Sequence, residues 1–186
     1  EWANALRQVW GEYRAPTGVA GATVKASRSG AAAETVDRLR KRLDALEARM
    51  GRRAKLLVGK PGLDGHSNGA EQIAIKARDV GFDVVYEGIR VSPAQIVASA
   101  LEEGVHLIGL SILSGSHLAL VPEVVQRLRD AGLGDIPVVA GGIIPEADAE
   151  RLRAEGVAAV YTPKDFELDN IMSDLIDLVD HRHAAE

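Results

Sequence analysis

The sequence contains no cysteine, so neither a disulfide nor a thiolate metal site can form. Aromatic residues make up only 4% of its 186 positions, which leaves aliphatic side chains and alanine to build the core. An excess of positive charge is missing too. The formal net charge is -5, which argues against nonspecific binding to nucleic acid. No apolar run reaches the length of a bilayer-crossing helix. No secretory signal pattern is visible, and the expected location is the cytoplasm. The two common phosphate-binding fingerprints, Gly-x-Gly-x-x-Gly and Gly-x-x-x-x-Gly-Lys-Ser/Thr, do not occur. Nucleotide binding through a glycine-rich loop is therefore disfavoured.

What is present is a regular alternation from Ala54 onward. Strand-like apolar runs fall near 55–58, 82–86, 106–111, 136–140 and 157–160. Helix-like runs fall near 69–80, 93–103, 118–131, 146–155 and 168–181. Five βα units of this length predict an α/β fold with a doubly wound, all-parallel, five-stranded sheet. The flavodoxin-like strand order 2-1-3-4-5 is taken by analogy. Asn68 with Glu71 and Ser92 with Gln95 have capping-box spacing. Pro93 and Pro145 suit first helical positions. Leu168, Ile171, Met172, Leu175, Ile176 and Val179 share one helical face.

Residues 1–53 read differently, as a helical extension preceding a domain at 54–183. A short helix is expected over 1–13 and a Gly/Ala/Ser-rich linker over 16–30. A second helix over 31–50 carries Val36, Leu39, Leu43, Leu46 and Met50 as one narrow stripe, with Gly51 as C-cap. Two readings of that stripe stay open: docking on its own domain, or packing on another domain or subunit.

The stretch from Lys60 to Gly69 follows the first strand-like run and carries Lys60, Asp64 and His66 between glycines. Loops at the carboxyl ends of parallel strands bind ligands. A neutral imidazole can ligate a metal while a carboxylate on its other nitrogen fixes the tautomer. The same residues would also make an ordinary Asx-turn with a solvated histidine. Ser111 to His117 and Gly141-Gly142 follow the third and fourth runs and read either as plain turns or as space for a bulky planar group. Ile73 fits core packing or the same ligand. His106 opens a strand at the far end of the sheet and reads as structural. His117 lies on the ligand edge and caps or begins a helix. His181 and His183 fall in an expected frayed tail. A zinc site from Asp64, His66 and His117 is conceivable but lacks a further ligand.

Asp64-Gly65-His66-Ser67-Asn68-Gly69 matches the Asp-x-His-x-x-Gly signature of base-off, histidine-on cobalamin-binding domains. Ser111-Ile112-Leu113 and Gly141-Gly142 match that family's Ser-x-Leu and Gly-Gly elements in order. The chain thus resembles, over about residues 54–181, the cobalamin-binding domain of the methylmalonyl-CoA mutase family. Its wording from Gly59 to Gln72 is similar to the ethylmalonyl-CoA branch. The resemblance implies an adenosylcobalamin cofactor whose cobalt takes His66 as lower ligand. Asp64 would orient His66, and Lys60 would be the outer member of that relay. Gly65, Gly69, Ile73, Ser111, Leu113, Gly141, Gly142, Tyr161 and Thr162 would contact the loop or the displaced nucleotide tail, Ser111 by hydrogen bond and Leu113 by packing. By the same resemblance, the activity is a radical carbon-skeleton rearrangement of an acyl-CoA. The substrate site would lie in a separate barrel domain or subunit, and the full enzyme would be a homo-oligomer. The isolated chain is expected to bind cofactor without turnover. The alternatives are a non-catalytic corrinoid carrier of a methyl-transfer system and, less well matched, a flavodoxin- or receiver-like signalling module.

Overall fold

The computed structural model describes residues 30–63, 65–113, 115–165 and 167–185. The expected helix over 1–13, the linker up to residue 29, and Asp64 lie outside the described residues.

Strands β1 (Lys55–Pro61), β2 (Asp83–Val91), β3 (Leu107–Ile112), β4 (Val138–Gly142) and β5 (Ala159–Tyr161) form one sheet in the order β2-β1-β3-β4-β5. Every pairing is parallel. Helices alternate with the strands: α1 (Gly30–Met50), α2 (Asn68–Val80), α3 (Pro93–Glu103), α4 (His117–Asp130), α5 (Glu146–Ala154) and α6 (Leu168–Ala185). The interior strand β1 is buried from Leu56 to Pro61, which is why Leu56–Val58 reads as an apolar run rather than an alternation. Two cores result. One joins the sheet to α3, α4 and α5 through residues such as Ile96, Val124 and Leu152. The other joins the opposite face to α1, α2 and α6 through Leu43, Ala74 and Met172. This is the expected doubly wound, flavodoxin-like architecture.

From Leu39 onward the stripe on α1 belongs to the second core. Val36, Leu39, Leu43 and Leu46 are each at most 3% exposed, and Met50 packs beside them. Arg42 bonds Ser173 and Asp177, and Arg49 bonds Asp180, so charged pairs tie α1 to α6. Of the two readings, α1 docks on its own chain. Gly51 ends α1 with φ +70° and donates to the Glu47 carbonyl, as a C-cap glycine should.

Four expectations need correction. The capping box at Asn68 does not form: Ser67 is the N-cap of α2, with no side-chain bond. Pro145 occupies the N-cap of α5 rather than its first turn. The C-terminal segment is not frayed, because α6 runs through His181 and His183, and Arg182 anchors to Asp135. Finally, β2 extends past residue 86 to Val91, with register shifts against β1. Elsewhere chemistry and structure agree: Ser92 and Gln95 form a complete capping box with Pro93 in the first turn of α3.

Candidate functional site

The carboxyl ends of β1, β3, β4 and β5 open onto a slot of about 380 Å³. Its floor is the α1/α2/α6 face of the sheet. Alternate strand residues point there: Leu56 and Val58, Gly109 and Ser111, Val139 and Gly141, then Tyr161. Gly69 and Ile73 of α2 form one wall, and Leu168, Ile171 and Leu175 of α6 the other. Leu113, Gly142, Ile143 and Thr162 rim the mouth. The order β1-β3 at the centre is the switch point of the topology, where α2 and α4 leave on opposite faces.

The slot brings together Gly69, Ile73, Ser111, Leu113, Gly141, Gly142, Tyr161 and Thr162, all singled out from the sequence. The two adjacent glycines have different causes. A side chain on Gly142 would place its Cβ 1.8 Å from the Ile112 carbonyl oxygen, so the fold itself demands glycine there. A Cβ on Gly141 meets nothing nearer than the Tyr161 carbonyl at 3.9 Å. The fold tolerates a side chain at 141, and its absence keeps the slot open.

Lys60 is not a loop residue. It lies in β1, is fully buried, and aims its Nζ across to β3, 3.2 Å from the Ser111 carbonyl and 3.4 Å from Ser111 Oγ. A buried ammonium is tolerated only with such partners. It therefore connects the strand that feeds the first loop to the residue on the slot floor. Past Lys60 the chain turns at Gly62, φ +90°, whose N–H donates to the Val91 carbonyl. Gly65 and His66 follow, both exposed and outside the slot. An exposed imidazole beside the mouth of an apolar slot can ligate a metal of a group whose remainder enters the slot.

Tyr161 presents its ring to the slot and donates its hydroxyl to Asp174 at 3.4 Å. Burial, with the Asp174 charge behind it, pushes the phenol well above its usual range, so it stays neutral. The Thr162 amide and hydroxyl both donate to Asp165, which fixes the β5–α6 loop. The Thr162 hydroxyl is thus already engaged within the loop.

The other histidines are placed apart from His66. His106 lies buried just before β3, and its Nδ1 accepts from the Lys55 amide, a structural bond at the far edge. His117 begins α4 as expected but faces inward, 2.9 Å from Asp148 of α5. Among the described residues no group of three or more potential ligands is placed to hold a metal ion. Sequence reasoning missed the floor residues Leu56, Val58, Gly109 and Val139. Only Gly109 carried a signal, as a lone glycine in the run Leu107–Leu110.

Among the described residues no helix is long and apolar enough to cross a membrane. Across its whole length the chain is 59% identical to ethylmalonyl-CoA mutase of Cereibacter sphaeroides, of which it covers 27%. It is 58% identical to ethylmalonyl-CoA mutase of Methylorubrum extorquens over 97% of its length, covering 25% of that enzyme. The chain therefore spans about a quarter of the length of these relatives. In structure it is similar to a cobalamin-binding protein from Desulfitobacterium hafniense, with TM-score 0.60 over 94% of this chain and 76% of that one. At 20% identity that likeness shows the fold alone. Residues 54–167, which supply the sheet, the His66 loop and all of the slot but its α6 wall, match the B12 binding domain, and the chain belongs to that family.

Proposed function

We propose that this chain is the cofactor-binding part of a cytoplasmic, adenosylcobalamin-dependent acyl-CoA mutase, acting on ethylmalonyl-CoA to give methylsuccinyl-CoA. The observation that carries the reading is the slot beside His66. It is mostly apolar and held open by Gly141, where the fold would accept a side chain. A group with a planar aromatic tail and a metal that accepts imidazole fits both features. His66 would ligate the cobalt, with Asp64 as its acceptor and Lys60 beneath the loop. Ser111 would offer its hydroxyl to the tail base, while Leu113, Ile73 and the Tyr161 ring would pack against it. When bound, adenosylcobalamin supplies the radical chemistry of the rearrangement. This chain binds and orients the cofactor and keeps water from its tail. The ethylmalonyl-CoA assignment, the barrel domain or subunit holding the acyl-CoA, and a homo-oligomeric enzyme rest on the mutase relatives.

The test is a titration of the 186-residue chain with adenosylcobalamin, followed by its visible spectrum, beside a His66→Ala variant. Reduction to Co(II) then permits electron paramagnetic resonance. A base-off spectrum with a single protein-nitrogen splitting, lost in the variant, is expected. Binding that ignores His66 would overturn the ligand assignment.

A further inference from the structure

We infer that Arg90, on the edge strand, is a positioning residue that holds the His66 loop from its outer side. The inference rests on the cobalamin reading only for the loop's purpose, since the geometry stands without it.

Strand β2 gains two residues on β1. Val58 pairs with Tyr86 and Gly59 with Gly88; Lys60 pairs with Ile89 and Pro61 with Val91. Glu87 and Arg90 are the extra residues. Bulges beside sites re-aim a side chain. Arg90 has φ +60°, and among the described residues it alone of the non-glycines has positive φ. Two positions earlier Gly88 takes φ +81°, the usual choice for a left-handed bulge residue. Arginine in that conformation is strained, and Arg90 is exposed, so it fills no core position. Strain kept at an exposed site points to function. The side chain shows which. Its Nη2 lies where a Cβ on Gly65 would be only 3.5 Å away, so the guanidinium rests over the residue just before His66. The Gly62 amide bonds the neighbouring Val91 carbonyl, which fastens the start of the same loop to the same bulge. Arg90 thus lies on the outer side of the loop. The only carboxylate in the 60–69 sequence is Asp64.

The test compares wild type, Arg90→Gly and Arg90→Lys in the cofactor-free chain by amide hydrogen exchange over residues 62–69, then by cobalamin titration. Arg90→Gly removes the guanidinium and also the strain. Expected is loop exchange faster by about tenfold with an undiminished melting temperature, cobalamin held about tenfold more weakly, and partial recovery in Arg90→Lys. Loop exchange within about twofold of wild type, or faster exchange throughout the molecule with a lowered melting temperature, would overturn the inference. If wild type binds no cobalamin, the functional reading fails, while the exchange data still decide the role of Arg90.

Discussion

Gly141 and Gly142 stand side by side yet answer to different demands. Gly142→Ala drives a methyl into the Ile112 carbonyl and forces backbone movement, so it should cost about 2–4 kcal/mol in urea denaturation. Gly141→Val should change stability by less than about 1 kcal/mol, because the space beside Gly141 is slot rather than core. The same variant should abolish cobalamin binding. If Gly141→Val unfolds the chain, or binds cobalamin normally, the slot has been misassigned. Lys60 offers a second contrast. Lys60→Met preserves length in a fully buried position but deprives the Ser111 carbonyl of its ammonium partner. A loss of about 1–3 kcal/mol is expected by denaturant titration, with weaker cobalamin binding beside it. Lys60 was read from the sequence as an outer partner of Asp64. That it bonds Ser111 was not legible, because nothing local in Gly59-Lys60-Pro61 says that the lysine side chain turns inward toward β3.

At the scale of elements, α1 tests how far an apolar stripe can be trusted. Its 3-4 spacing gave the helix and its buried face, but not the partner that covers that face. The structure supplies it: Leu43, 1% exposed, sits in the core formed with α2 and α6. Leu43→Ala should therefore destabilise the whole chain by about 2–5 kcal/mol in one cooperative transition, measured by circular dichroism in urea. A separate early transition would mean that α1 melts independently. The parallel sheet and the helix faces were readable because buried strands and amphipathic helices repeat with fixed periods. The end of β2 was not, since each bulge residue, Glu87 and Arg90, shifts the alternation by one. The start of α2 was missed for another reason. Asn68 and Glu71 have the right spacing, but the helix begins one residue earlier in phase, with Ser67 as its cap. The slot residues carried by the motifs were legible; Leu56, Val58 and Val139 of the floor were not, because apolar strand residues look alike whether they face core or ligand.

The whole molecule separates what the cofactor needs from what catalysis needs. Sheet and His66 loop lie within residues 54–167, and α6 completes the slot, in a chain about a quarter the length of the mutases it matches. The 186-residue chain should bind adenosylcobalamin yet show no turnover of ethylmalonyl-CoA or methylmalonyl-CoA in a coupled assay. Turnover would place an acyl-CoA site inside this fold. Leu63 in the His66 loop, at 88%, and Ile143 at the slot, at 66% exposure, stand uncovered among the described residues. The contact between Gly142 and Ile112 has one more consequence, for the history such a domain can have. At Gly142 the spacing is a distance between two main chains, and no exchange of side chains can relax it. Gly141 and the helical walls, at Ile73, Leu168 and Ile171, are open to revision. A lineage adapting to a corrinoid with a different lower base would record the change at 141 and in α2 and α6, and keep Gly142 as it is.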